Sequence, residues 1–421
     1  MLTKLKFEIC CSLVFLCSLG FLASVEAQTE NLNWSQWRGK NRDGISGVEL
    51  PDSIQSDSLT EVWSKPLSPS YSGPIVVGDM VFVTETIDSK FETVQALRRS
   101  DGTNVWTAKW KGAMNVPFFA AANGSWIRST PVYSKGKLFV AGMRDVFVCL
   151  DAKSGEEVWR VDFPAQTKSK LPSFGFVCSP MVDGDYVYVQ AGGAFTKLSA
   201  KDGSIVWQSL KDGGGMGGSA FSSPVIATIA GVRQAVVLTR NELVGVDLDE
   251  GKPLWQIPVK AFRGMNILTP SIYGDGVFTS TYGGTTQLFE VTAAANGTDG
   301  LTVAQKWNTP AQGYMSSPVI VDDHAYVHLR NQRFACFDLK TGDEKWRSKT
   351  YGKYASMIAA RDKILALDQK GDLLMIKANP EKFELIDKRK VADDSWAHVA
   401  LTQDDVVVRD LQKVTLFKWV K

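Results

Sequence analysis

The chain holds three histidines, and these are the first side chains to test for chemistry. His324 and His328 are four residues apart, so an extended strand would put both on one face. Tetrahedral zinc needs further ligands at short spacing, and none follows, so these two and His398 read as strand-surface histidines. The run Gly213-Gly214-Gly215-Met216-Gly217-Gly218 lacks the Lys-Ser/Thr pair of a phosphate cradle and precedes a strand pattern, which makes it a connecting loop. No Gly-x-Ser-x-Gly elbow, His-Glu-x-x-His helix or paired-cysteine zinc site occurs. Asn33-Trp34-Ser35, Asn123-Gly124-Ser125 and Asn296-Gly297-Thr298 match the glycosylation pattern, which is short enough to arise by chance and is silent in a bacterial chain.

Residue types suited to binding are denser. Segment 114–128 reads MNVPFFAAANGSWIR and 166–177 reads QTKSKLPSFGFV, while 261–268, 311–315 and 351–354 add further arginine, amide and tyrosine side chains. From these stretches and the start of the last repeat come the candidate binding residues Trp126, Arg128, Phe176, Arg263, Asn266, Tyr314, Tyr354 and Trp396. Trp, Tyr and Arg dominate binding hot spots because they bury much area and keep a polar handle. Guanidinium groups beside aromatic rings suit a sugar face or a carboxylate. The same rings could instead plug a channel, and the sequence leaves both roles open.

These segments need a framework that brings them together, and the repeats supply one. Gly102 and Trp106, Gly155 and Trp159, Gly203 and Trp207, Gly251 and Trp255, and Gly342 and Trp346 share one spacing of four residues. Six units open at Gly73-Pro74, Thr130-Pro131, Ser179-Pro180, Ser223-Pro224, Thr269-Pro270 and Ser317-Pro318. Each continues through short alternating strands to a polar turn and a tryptophan. Self-similarity at a period of about 40–50 residues with four strands per unit marks a β-propeller. Trp63, Trp106, Trp159, Trp207, Trp255, Trp307 and Trp346 are then structural anchors between neighbouring blades. Two degraded units follow. Segment 356–391 carries Ile386 where the tryptophan belongs, and 395–421 has only three strands. Segment 59–67 looks like a fourth strand without a repeat before it. The reading is an all-β, eight-bladed propeller of four-stranded blades, closed by that N-terminal strand. The connections from each outer strand to the next inner strand converge on one mouth of the channel, where the candidate residues lie.

The domain map is a secretory signal at 1–27, a lead-in at 28–58 strapped to the surface by Trp34 and Trp37, and the propeller at 59–421. Lys4 and Lys6 precede a short apolar run, and Val25-Glu26-Ala27 offers a cleavage site. Release after Ala27 makes the protein secreted or periplasmic, with no transmembrane span after signal removal; an uncleaved anchor is the alternative. The 47 basic and 45 acidic residues give a net charge of +2, which excludes a nucleic-acid footprint. Cys149, Cys178 and Cys336 remain after the signal and read as buried free thiols, one bridge between two of them staying open. A closed ring of this kind is expected to be a monomer.

The unit SSPVIVDDHAYVHLRNQRFACFDLKTGDEKW at 316–346 and the segment DAKSGEEVW at 151–159 resemble the repeat of the pyrroloquinoline-quinone (PQQ)-type propellers, over residues 59–420. That family includes quinone-dependent alcohol dehydrogenases and BamB-like non-catalytic secreted propellers. The dehydrogenases are known for a quinone held between a Trp and a vicinal disulfide beside calcium. Here the only adjacent cysteines are Cys10-Cys11, inside the signal, and no residue matches the family's catalytic Asp. The resemblance therefore implies a cofactor-free binding or scaffold module for a protein or carbohydrate ligand at the channel mouth. The alternatives are a PQQ- and calcium-dependent dehydrogenase of alcohols or sugars, and a polysaccharide- or envelope-binding accessory protein.

Overall fold

A computed structural model describes residues 32–218, 220–294 and 300–420. The signal segment and Asn296-Gly297-Thr298 lie outside them. Eight antiparallel sheets follow one another around an axis, with inner strands beginning at Ile75, Val132, Met181, Val225, Ser271, Val319, Ala355 and Ala400 in blades 1 to 8. The eighth blade has three strands from the C-terminus. Its fourth is Leu59–Pro66, which pairs antiparallel with Lys413–Trp419 from Leu59↔Trp419 to Pro66↔Lys413. The ring closes through the N-terminal strand, as the strand count requires.

The spacing of four from Gly to Trp acquires a physical meaning here. Five of the seven anchor tryptophans dock on the glycine of the next blade, not on that of their own. Trp63 of blade 8 covers Gly102 of blade 1, Trp106 covers Gly155, Trp159 covers Gly203, Trp207 covers Gly251 and Trp307 covers Gly342. The indole N–H donates across the same seam: Trp63 to Arg99 O at 2.9 Å, Trp307 to Leu339 O at 2.8 Å and Trp346 to Asn379 O at 2.8 Å. All eight outer strands carry a one-residue bulge just before the anchor position, skipping Val62, Val105, Val158, Val206, Leu254, Lys306, Lys345 and Ile386. In blade 7 that register corrects the sequence reading. Ile386 is the skipped residue, and Asp387 stands at the anchor position opposite Met375.

The hydroxyls of four of the five Ser/Thr-Pro openings stitch neighbouring blades around the channel, while that of Thr269 accepts from Trp37. Thr130 Oγ1 accepts from Gly73 N, Ser179 Oγ from Thr130 N, Ser223 Oγ from Ser179 N and Ser317 Oγ from Thr269 N, at 2.9–3.0 Å. Proline is tolerated next in line because the innermost strand is a sheet edge.

The lead-in is not a surface strap. Trp34 pairs with Val76 on the inner strand of blade 1 and is buried. The chain then climbs the channel, turns through Trp37 to Gly44, and descends as Ile45–Ser46, parallel to the inner strand of blade 7. Arg42 holds the turn, donating to Pro224 O, Pro180 O and Ser179 O, each at 2.8 Å. Arg38 donates to Asp43 O at 2.6 Å and to Pro318 O. Below, Asp387 accepts from Ile54 N at 2.8 Å and Gln55 Nε2 at 2.7 Å, clamping the segment before it enters blade 8. The correction has a plain cause: the inner strands leave a ring of carbonyls facing the axis, and the arginines of WSQWRGKNRDG satisfy them.

A Cβ on Gly155 would stand 2.5 Å from the Trp106 ring, and its φ of +77° already disfavours a side chain. Gly155→Ala is therefore expected to lower unfolding stability by about 1–3 kcal/mol, measured by denaturant titration, while Gly136→Ala, where a Cβ meets nothing within 4 Å, reports the backbone cost alone. Equal losses in the two variants would remove the docking account.

Candidate functional site

The connections between blades gather at the end of the channel where the inner strands begin. They enclose a cavity of about 980 Å³ whose floor includes Trp37 of the lead-in and His398. Each of the eight connections places one aromatic ring on its wall: Tyr71, Phe119, Phe174, Phe221, Phe262, Tyr314, Tyr354 and Trp396. The rings touch in two arcs. Tyr71 stacks on Trp396 at 4.4 Å, Trp396 meets Tyr354 at 4.2 Å, Tyr354 meets Tyr314 at 5.8 Å, and Tyr282 links Tyr314 to Phe262 at 5.0 and 5.4 Å. Opposite them, Phe119, Phe174 and Phe221 follow at 6.3 and 5.5 Å. At the lip, Phe118 is 89% exposed, Phe119 56% and Phe262 47%.

Of the candidate residues, Arg128, Arg263, Tyr314, Tyr354 and Trp396 line this cavity. Three do not. Trp126 stands behind Tyr71, ring to ring at 5.2 Å. Phe176 is buried in the core between blades 2 and 3, and Asn266 is fully buried, donating to Arg240 O and Val259 O. In segment 166–177 the chain bends at Gly175, φ +80°, so Phe174 faces the cavity and Phe176 the core. Two neighbouring phenylalanines gave no sequence signal for that choice. Tyr71, Phe119, Phe221, Phe262 and Arg240 also escaped the sequence reading. The available clue was that every outer-to-inner connection carries an aromatic residue.

Arg240 fastens the 4–5 connection to the 3–4 connection, donating to Arg263 O at 2.7 Å, Gly264 O at 2.6 Å and Gly218 O at 3.1 Å, with its guanidinium 4.5 Å from the Phe221 ring centre. Arg263 itself sits in the left-handed region at φ +51° and is exposed. Arg128 donates to Trp126 O and Gly124 O at 3.2 and 3.0 Å, and burial lowers its guanidinium to about 10. Among the described residues, no Asp or Glu lines the cavity. A calcium ion of the kind the dehydrogenase alternative requires finds no carboxylate there.

The histidines are a further correction. His328 and His398 are 1% and 6% exposed, and burial lowers them to about 4 and about 3, so both are neutral packing groups. His398 shares its Nδ1 with Val399 O at 2.9 Å and lies edge-on to Trp37 at 4.9 Å. Among the described residues, no three His, Cys, Asp or Glu side chains gather around a possible metal. Cys149, Cys178 and Cys336 are buried free thiols, and burial raises all three.

Two buried carboxyls brace the mouth. Glu92 accepts from Met143 N at 2.7 Å and Trp110 Nε1 at 2.9 Å, tying blade 1 to blade 2. Asp145 accepts from Gly192 N at 2.8 Å, tying blade 2 to blade 3. Burial raises each to about 7, against the pull of those N–H donors. Both carboxyls hold a proton more tightly folded than unfolded, so their stabilising contribution is complete below the unfolded range and is lost as pH rises through about 7. His328 and His398, lowered instead, act in the opposite sense, their contribution disappearing as pH falls below their unfolded value. The difference in melting temperature between the native chain and Glu92→Gln is expected to move in favour of Glu92→Gln between about pH 5 and pH 8, read by scanning calorimetry. A constant difference would place Glu92's titration outside that window.

With this geometry in place, the chain was compared with known proteins. A family model described as outer membrane protein assembly factor BamB matches residues 47–108 and 90–348. A BamB from Shewanella oneidensis is 23% identical over 308 residues, 68% of this chain and 72% of its own length. One from Yersinia pestis is 22% identical over 271 residues, 59% of this chain and 63% of its own length. Among solved structures, BamB from Moraxella catarrhalis superposes with a TM-score of 0.61 at 14% identity, covering 86% of this chain and all of that one. A europium-containing methanol dehydrogenase superposes at 0.54 and 12% identity, covering 94% and 99%. The two structural likenesses speak to the fold alone.

Proposed function

The chain belongs to the family of the outer membrane protein assembly factor BamB, within the PQQ-type propellers, and from that premise we propose that it is a protein-binding scaffold of the cell envelope whose contact surface is the channel mouth. It works by binding and not by catalysis, in keeping with relatives named as assembly factors. Its place in the envelope agrees with the N-terminal signal segment and with that name. The observation that carries the mouth as the contact surface is the ring of aromatic side chains, one from each inter-blade connection, around a cavity open to solvent. A closed propeller fixes those connections rigidly, so the rings are presented pre-ordered and lose little freedom on binding. Large rings with a guanidinium among them are the composition of a hot spot.

Phe119→Ser with Phe262→Ser tests the reading, since both rings are exposed and little packing is lost. In cross-linking on intact envelopes of the source organism, contacts of the doubly substituted chain with outer-membrane assembly proteins are expected to fall at least about tenfold, with stability within about 1 kcal/mol of the native chain. Unchanged cross-links would move the contact surface away from the mouth.

A further inference from the structure

We infer that the mouth cavity receives an acidic polypeptide segment, one with carboxylate side chains interleaved with aromatic or other large apolar ones. This rests on the scaffold reading and specifies the chemistry of the partner. Among the described residues, three guanidiniums line the cavity and no carboxylate does. Arg128 and Arg240 spend their N–H groups, among those residues, on backbone carbonyls only; Arg240 feels the Asp212 carboxylate from outside the lining, and Arg128 has no carboxylate beside it. Arg263 projects from a left-handed turn at the lip with its guanidinium 5.2 Å from the Phe262 ring centre. The chain as a whole is close to neutral at +2, so this concentration of one sign is local to the cavity.

The floor adds donors. Ser179, Ser223 and Ser317 line it, and each oxygen already accepts a backbone N–H from the neighbouring blade. Each hydroxyl keeps its proton to donate, along with one remaining lone pair. A neutral sugar could use the hydroxyls and the amides of Asn123 and Asn241, but it would leave the three guanidiniums without an anion. A carboxylate brings acceptors and a negative charge, which suits the guanidinium and hydroxyl donors of this wall. The apolar half of the surface asks for rings or aliphatic side chains beside the carboxylates, since Phe119 and Phe262 present their faces at the lip. At about 980 Å³ the cavity lies at the upper end of the range for ligand pockets, roughly 300–1,000 Å³, and takes several side chains of an extended segment, not a folded domain.

The test is titration calorimetry of the mature chain with an acetylated, amidated pentapeptide Glu-Phe-Glu-Phe-Glu and its Gln-Phe-Gln-Phe-Gln counterpart. The acidic peptide is expected to bind at least about tenfold more tightly, with an affinity that falls as salt rises. Arg128→Gln with Arg263→Gln is expected to remove that preference while leaving the neutral peptide unaffected. Arg263→Gln alone, at an exposed position, gives a several-fold loss should the double variant misfold. Equal binding of the two peptides, or a preference that survives both variants, overturns the inference. So does displacement of the peptide by phosphatidylglycerol vesicles or citrate at equal charge, which would assign the cavity to a lipid headgroup or a small acid. The scaffold reading fails separately: the acidic peptide binds as expected, yet the phenylalanine variants keep their envelope cross-links.

Discussion

The structure depends on one repeated contact, a tryptophan ring laid flat on the bare backbone of a glycine in the next blade. It needs a residue with no Cβ on one side and the largest flat side chain on the other, so the pair can be placed only where both are supplied. Two seams show the ring packed even where its hydrogen bond across the seam is lost. Lys197 stands opposite Trp207 in its own blade and donates its ammonium to Leu248 O at 2.6 Å, the carbonyl that would have taken the indole N–H. The Trp207 N–H is left without a partner, while the ammonium sits 3.9 Å from the Tyr186 ring centre. Trp255 turns its N–H inward to Gln234 Oε1. Packing area thus survives the loss of the hydrogen bond, which fits a contact whose main contribution is burial.

Closing eight blades creates a second problem along the axis. Inner strands have no neighbour on their inward side, so the carbonyls of their opening residues face a channel. The lead-in answers with two arginines. A guanidinium offers five N–H groups in a fixed plane, enough for one side chain to bridge Pro180 and Pro224 on adjacent blades. Burying that charge is costly, and both guanidiniums are lowered to about 10 by desolvation, Arg38 against the pull of the Asp43 carboxylate. The tight turn between them, with Arg38, Gly39, Arg42 and Gly44 all at positive φ, leaves the segment with no ordinary secondary structure to announce it.

That is why the fold was legible and the plug was not. Blade number, closure and the anchoring tryptophans follow from local periodicity and from a count of strands, both of which are properties of consecutive residues. The path of WSQWRGKNRDG depends on partners more than a hundred residues away, such as Arg42 with Pro180, and a polar segment reads the same whether it lies on a surface or inside a channel lined with carbonyls. The site falls between these cases. Arg128, Arg263, Tyr314, Tyr354 and Trp396 were found because topology alone sends their connections to one mouth. Phe176 and Asn266 were misplaced because the turn at Gly175 and the carbonyls of Arg240 and Val259 decide which side chain turns inward. Asp387 shows the same limit at single-residue scale, since a bulge moves the anchor position by one.

The plug and the cavity constrain each other. Trp37 donates its indole N–H to Thr269 Oγ1 at 3.0 Å and packs against His398, and both rings belong to the cavity floor. The channel is therefore blind. The mouth is the open end, and the axial space beneath it is occupied by the chain's own residues. The floor is also rigid, because Arg42, Arg38 and Trp37 tie it to blades 3, 4, 5 and 6 at once. A pocket with a fixed floor, fixed walls and a flared apolar lip discriminates by what it cannot rearrange to accept, and three guanidiniums with no carboxylate among the described lining residues favour an anion over a cation. Selectivity of that kind suits a scaffold, which must hold one segment in place without transforming it.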